Sequence, residues 1–457
     1  MATPYKMILQ RLFSSLIVIL SCGVLLLGTA YGEMASISFI RDTEIESVLY
    51  AIVHPLARAA GIDEKSIRIY LLATPEINAA ASSDGRIFIN AGLILKTRNV
   101  GQLRGVLAHE LGHVAAHHGT RQKGLSKNLS AASLAAIFVG SGLGVTTGRA
   151  DLALGVISAG TSMAGSAFCH HSRQEESAAD IQAVKILKKL GYSHRGVVEF
   201  LILLRGQERL LEGEIPSYFR THPGTQERIE TLRDESTPGG HSVPDTEEQP
   251  YRRMKEKLFA FWAPLDQVMQ ETNQNATFSR GIALYRQGRL AEALNLLEIL
   301  LARETKKNPY LLELKAQILL EKKEVPRAIS VYREALSNLP AQEAAPLLQL
   351  SLAHALLEAG NPTHLEEALK ILNDLTAHEK DNPQLWHLLA IGYGKKKDPG
   401  RTHLALAEEA IALGDEKRAH EEALRAQKKI PKNTPSYARV RDLLADLTLR
   451  KETSRKE

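Results

Sequence analysis

Two histidines and a glutamate share one short run, His109-Glu110-Leu111-Gly112-His113. On an α-helix, positions i and i+4 lie on the same face, so both imidazoles aim at one point and can grip a single metal ion. Glu110 then stands beside that ion without binding it, placed to take a proton from an activated water. The surroundings suit a buried helix. Residues 101–108 lead in with Val106 and Leu107, and Val114-Ala115-Ala116 follow with neither proline nor charge, a helix-favouring and apolar frame.

A catalytic zinc takes three protein ligands and keeps a fourth position for water. The extended pattern HExxHxxGxxH would place Gly at 116 and His at 119; the chain has Ala116 and Gly119, which excludes that class. An acidic residue on a later helix remains. Glu175-Glu176-Ser177-Ala178-Ala179-Asp180 opens such a helix, continued at helical spacing by Ile181, Val184, Leu187 and Leu190. Glu176 and Asp180 are again i and i+4, so one can bind the metal while the other accepts the ring N–H of a ligating histidine. Spacing alone does not separate Glu175 from Glu176. Small Ala178 and Ala179 would let this helix approach the HExxH helix closely.

HELGH, then E-x-x-A-D, then His222-Pro223-x4-Arg228-Ile229 resembles the zinc peptidases that include HtpX and the CAAX prenyl proteases. The resemblance implies one Zn2+ per chain, with Glu176 as third ligand beside His109 and His113, and Asp180 as partner of a ligating histidine. It brings His222 to the zinc, either to stabilise an oxyanion or to occupy the open position. From its residues alone, Thr221-His222-Pro223-Gly224 is a turn before a helix near Thr225, which His222 could merely cap. Arg228 reads as an anchor to a carboxylate. The resemblance also covers Ile77-Asn78-Ala79 and residues 86–90, a region where a strand of this fold pairs with extended substrate. Ala80 stands where the family often has a bulky residue.

At 457 residues the chain has room for two or three domains. Its 44% hydrophobic and 24% charged content is globular, and abundant Ala and Leu with few aromatics favours helix. Lys6 and Arg11 precede an apolar run from residue 12 to 27, then Ala30-Tyr31-Gly32, the order of a secretory signal peptide over residues 1–32. A retained anchor is the competing reading, although the run falls short of a comfortable span. Cleavage after Gly32 would leave a net charge of about +3, too mild to argue for nucleic acid. It would also leave Cys169 as the sole thiol, so no intramolecular disulfide could form. Cys169-His170-His171 is discounted as a metal site, because adjacent histidines face different directions. The Gly/Ala/Ser-rich stretch 131–167 suits a lid or substrate-adaptive flap.

Residues 236–250 hold three prolines and a Gly-Gly pair, a linker closing a peptidase domain over 33–235. A basic-then-aromatic helix follows within 251–270, able to rest on an anionic membrane or to pack one domain on the next. From 271 to 450 the chain repeats itself: Gly281, Gly288 and Ala293, then Ala316, Lys323 and Ala328 thirty-five residues on, with Tyr332, Ala335 and Pro340 completing the unit. Ala353, Gly360 and Ala368 fit with a short insertion, Trp386 and Ala390 begin a further helix pair, and Ala407, Gly414, Ala419, Ala426 and Pro431 repeat the pattern. This resembles the tetratricopeptide repeat, whose stacked helix pairs form a concave face for an extended partner. The expected fold is therefore mainly α with a small β-sheet, a zincin-type metallopeptidase domain followed by an α-solenoid.

The whole arrangement resembles the BepA-like periplasmic proteases. That resemblance implies a periplasmic endopeptidase acting on unfolded or stalled outer-membrane proteins, with repeats that engage substrate and the outer-membrane assembly machinery. It implies no nucleic-acid partner and at most peripheral membrane association. The alternative is an assembly chaperone whose metal site is closed by His222.

Overall fold

The computed structural model describes residues 38–116, 172–208, 218, 221–223, 225–234, 245–272, 277–340 and 343–456. The signal segment 1–32, the stretch 131–167 and Cys169-His170-His171 lie outside them. The chain divides into two compact units, the first ending at Glu271 and the second running from Thr272. Both are dominated by helix, with one small sheet in the first, as expected. Among the described residues no helix is long and apolar enough to cross a membrane.

In the first unit, β1 (Phe39–Ile40) leads into α1 (Thr43–Ala59), whose start is capped by Asp42 accepting the Ile45 N–H at 3.0 Å. β2 (Arg68–Leu72), β3 (Ala79–Ala81) and β4 (Arg86–Asn90) complete a sheet in the order β1-β2-β4-β3. β2 runs parallel to β4, with Ile69 opposite Ile87 and Leu71 opposite Ile89; β3 is antiparallel to β4 and forms one edge. Ile87, Phe88 and Ile89 are fully buried, which is why this strand reads as a continuous apolar run rather than an alternation.

After the short α2 (Ala91–Lys96) comes α3 (Val100–Ala115), the helix of the HExxH motif, started by Asn99 accepting the Gln102 N–H. Residues from Val100 to His113 are buried with few exceptions, because α1, α4 (Arg173–Lys189), α5 (Arg195–Glu208), α7 (Asp245–Trp262) and β3 all pack on it. Close packing needs glycine at two of these contacts. A Cβ on Gly112 would sit 2.5 Å from Ala179 O of α4, and one on Gly196 of α5 would sit 2.1 Å from Gly101 O. α6 (Thr225–Asp234) lies against α4 and α5.

The segment 236–250, expected to be a linker throughout, is helical from Asp245, with Pro250 inside α7. One lost ladder hydrogen bond at Pro250 is offset by anchoring to the first unit. Tyr251, Met254 and Leu258 are buried in its core, Lys257 Nζ reaches Asp42 Oδ2 at 2.8 Å, and Arg253 pairs with the buried Glu44. Arg253 and Lys257, ahead of the aromatic run, thus face carboxylates of this unit, and Lys255 reaches the Thr97 carbonyl. α7 ends before Pro264, and α8 (Leu265–Thr272) follows.

The second unit is a run of helical hairpins: α9 (Phe278–Arg286) with α10 (Leu290–Arg303), α11 (Pro309–Glu321) with α12 (Val325–Asn338), and α13 (Pro346–Ala359) with α14 (Pro362–Leu375). α15 (Pro383–Lys395), α16 (Pro399–Ala412), α17 (Glu416–Lys429) and α18 (Pro435–Lys456) complete it. Ala293, Ala316, Ala328, Ala335, Ala353, Ala368, Ala407, Ala419 and Ala426 are fully buried, so the repeated small residues sit where helices nest. Tight corners carry a left-handed residue at Gly288, Lys323, Gly360, Lys397 and Gly414. The last two corners are a single helix apart. The pair containing Trp386 and Ala390 and the unit at Ala407 therefore share α16, and both of the former lie inside α15.

Candidate metal centre

Helix α3 presents His109 and His113 on one face, with their Nε2 atoms 3.1 Å apart. Glu176, in the first turn of α4, meets both: its Oε2 lies 3.3 Å from His109 Nε2 and its Oε1 3.2 Å from His113 Nε2. With metal–ligand bonds of about 2.0–2.1 Å, the edge of a tetrahedron around zinc is about 3.3 Å. The edge between the two imidazoles fits one ion, and Glu176 turns one oxygen to each of them. Glu175 is turned away, because its carboxylate accepts the Ser172 N–H at 2.8 Å while Ser172 Oγ accepts its own N–H, a capping box that starts α4.

His222 enters from the segment before α6. Its Nδ1 is 3.0 Å from Glu176 Oε1 and its Nε2 is 3.6 Å from Glu110 Oε1. The donor atoms of His109, His113, Glu176 and His222 all lie within 4.8 Å of one another, and all four residues are buried. Tyr218 stacks on the His222 ring at 4.4 Å, and its carbonyl accepts the His222 N–H at 2.8 Å. Thr221 Oγ1 is 3.3 Å from Asn78 Oδ1, next to β3. Neither Tyr218 nor the Asn78–Thr221 contact was legible in the sequence, since nothing in local spacing pairs residues so far apart.

Asp180, one turn after Glu176, lies 2.8 Å from His109 Nδ1. An N–H at Nδ1 donating to this carboxylate leaves the Nε2 lone pair aimed at Glu176 and His113. Arg228 closes the network, with Nε 2.7 Å from Asp180 Oδ2, Nη2 2.9 Å from Oδ1, and Nη1 2.7 Å from Glu176 Oε2. It is the carboxylate anchor its position suggested. Burial and the Arg228 charge push His109 down, yet Glu176 and Asp180 prevail and hold its imidazole up at about 9. Burial opposes ionisation of Asp180 also, but Arg228 and His109 outweigh it and keep that carboxyl below its usual range.

Glu110 is buried within reach of the same cluster, and Oε1 makes no hydrogen bond among the described residues. Burial raises its carboxyl above the ordinary carboxylate value despite the His222 and His109 charges. A carboxylate so placed is a stronger base than one in water.

A family model described as Peptidase family M48 matches residues 44–236, and one described as Tetratricopeptide repeat matches residues 278–346. The Beta-barrel assembly-enhancing protease of Yersinia pestis is 26% identical over 369 residues, which cover 78% of this chain and 74% of that one. The protein of the same name from Escherichia coli (strain K12) is 26% identical over 368 residues, 78% and 73% of the two chains. Metalloprotease YcaL of the same strain is 32% identical over 189 residues, 40% of this chain and 68% of that one.

Proposed function

The chain belongs to peptidase family M48, and from that premise we propose that it is a periplasmic, zinc-dependent endopeptidase for unfolded or stalled outer-membrane proteins. The relatives named for β-barrel assembly, which share both of its units, support the substrate class. One observation carries the chemistry: His109 and His113 meet at metal-ligand spacing, Glu176 turns an oxygen to each of them, and Glu110 stands beside the cluster.

Zinc bound there would polarise the scissile carbonyl and acidify a water. His109, His113 and Glu176 would hold it. Glu110 takes the proton of the attacking water and delivers it to the leaving amine, a role its burial-raised basicity suits. Asp180 holds the His109 tautomer, and Arg228 holds Asp180. His222, with Nε2 facing Glu110, stabilises the oxyanion. β3, at one edge of the sheet among the described residues, offers its backbone to an extended substrate, and the repeats engage substrate and the assembly machinery.

The test is cleavage of an unfolded β-barrel outer-membrane protein by zinc-loaded residues 33–457, beside Glu110→Gln. Cleavage by the parent alone is expected. Equal cleavage by both would remove Glu110 from the mechanism. A second reading rests on His222 standing with the three ligands: four protein groups would close the metal and leave an assembly factor. It expects no cleavage by either protein and release of activity by His222→Ala.

A further inference from the structure

The M48 match ends at residue 236, yet a helix beyond it contacts the helix of His109 and His113 and the turn that follows the helix of Glu176. We infer that α7 is a positioning element of the metal centre, acting through Glu247 and Glu248; this rests on the metallopeptidase reading.

Glu248 works at the start of α3. The first four N–H groups of a helix lack partners within it, and Glu248 Oε2 accepts that of Val100, the first residue of α3, at 3.0 Å. Asn99 takes the Gln102 N–H, so α7 supplies a cap that the motif's own segment does not. A carboxylate at this end also opposes the positive pole of the helix. Tyr251 and Lys255 secure the preceding turn. The Tyr251 hydroxyl donates to Thr97 O at 2.8 Å and meets Thr97 Oγ1 at 2.9 Å, and Lys255 Nζ donates to the same carbonyl.

Glu247 joins α3 to α4. One carboxylate oxygen pairs with Arg104 of α3, whose side chain is 5% exposed; the other accepts the Tyr192 hydroxyl at 2.6 Å. Arg104 lies 3.8 Å from the centre of the Tyr192 ring. Tyr192 itself is fastened to the end of α4 by its N–H on Leu187 O at 2.9 Å. One carboxylate therefore ties the helix of His109 and His113 to the helix of Glu176.

Packing alone does not require these contacts. The core face of α7 is Tyr251, Met254 and Leu258, whereas Glu247 and Glu248 reach Arg104 and Val100 of α3 and Tyr192 just past α4, with Glu248 also 3.6 Å from Arg252 on α7 itself. Val100 is about 14 Å along the axis from His109 at 1.5 Å per residue. A tilt of a few degrees at the capped end moves the imidazoles by about 1 Å, enough to cost about 10²-fold in rate.

The experiment uses the full-length protein with Glu247→Ala, Glu248→Ala and their Gln counterparts. It reads zinc retention against a competing chelator, kcat and KM on an unfolded β-barrel protein, and hydrogen exchange of the first turn of α3 in metal-free protein. The Ala variants should lose zinc about 10-fold more readily, lower kcat about as much with KM within about twofold, and exchange the Val100 amide faster. Glu248→Gln, whose amide oxygen still accepts from Val100, should recover most of each, whereas Glu247→Gln removes the charge that pairs with buried Arg104 and should recover less. Unchanged zinc affinity and kcat in both Ala variants, with only a lower melting temperature, would overturn the proposal. If an Ala variant does not fold, Glu248→Gln and Tyr192→Phe decide, because the first keeps the contact with Val100 and the second cuts the hydroxyl from Glu247. A parent that holds zinc without cleaving, while zinc affinity still follows α7, would sink the peptidase reading and leave the positioning role standing.

Discussion

The two units bury different things. Around the metal centre, His109, Glu110, His113, Glu176, Asp180, His222 and Arg228 are each at most 5% exposed, and nearly every one touches two others. The repeat unit buries alanine and leucine and keeps most of its charges outside, as in Arg333–Glu367 and Arg289–Glu292. Desolvated charges survive only while each has its partner, so the first unit behaves as one network. The repeats behave as a chain of neighbours whose terms add. Substitutions should therefore be costly and non-additive in one unit, and modest and local in the other.

The largest effect should come from Glu110→Gln, which keeps the shape of the site and removes its base. We expect kcat to fall by about 10²–10⁴-fold with zinc still bound stoichiometrically, measured by turnover and metal analysis on the same sample. Next is Arg228→Met, which strands Asp180 and Glu176 without their cation. Denaturant unfolding of the metal-free protein should show a loss of about 3–5 kcal/mol. Adding Asp180→Asn should return part of it, since that change removes one of the stranded charges. Strict additivity of the two would contradict the network.

How far the sequence foretold each region follows the same division. His109, His113, Glu176 and Asp180 were legible because i and i+4 on a helix fixes which side chains converge, and the repeats were legible because Ala and Gly recur at fixed intervals. Spacing alone leaves Glu175 and Glu176 open; the family resemblance points to Glu176, and the capping box at Ser172 shows what occupies Glu175. What joins distant segments was not legible: Asn78 with Thr221, Tyr218 under His222, and Glu247 on Arg104. No local periodicity encodes such pairs. The start of α7 was hidden by the prolines of segment 236–250, which local propensity reads as linker and tertiary contacts with Asp42, Glu44 and Thr97 override.

Glycines sharpen the contrast. Gly112 is needed for space, since a Cβ would lie 2.5 Å from Ala179 O. Gly112→Ala should cost about 1–3 kcal/mol and weaken zinc binding, because it pushes α4 and Glu176 off α3. Gly414 has open space but φ of +77°, so Gly414→Ala should cost about 1 kcal/mol and leave zinc untouched. The converse applies where lysine holds that corner, at Lys323 and Lys397 with φ of 63° and 59°. Lys323→Gly and Lys397→Gly should each stabilise the repeats by up to about 1 kcal/mol, and the two gains should add in thermal unfolding.

The smallest expected effect is a pH dependence confined to the repeats. His387 Nδ1 is 3.0 Å from Glu409 Oε1, and Arg418 Nη2 is 2.9 Å from Glu409 Oε2. The hydrogen bond to Glu409 raises His387 above its ordinary value against partial burial. Burial would raise Glu409, but His387 and Arg418 prevail and lower it. The histidine's contribution is complete below its unfolded value and fades as pH climbs through the raised folded one. The glutamate's is complete above its unfolded value and fades as pH drops through the lowered one. The pair is strongest between the two unfolded values, in mildly acidic solution. Because the His387 side chain is 53% exposed, solvent screening limits the effect to about 0.3 kcal/mol. Unfolding of the repeats followed from pH 6 to pH 9 should show this decline, and His387→Gln should flatten it. A decline that survives the substitution would remove the His387–Glu409 pair as its source.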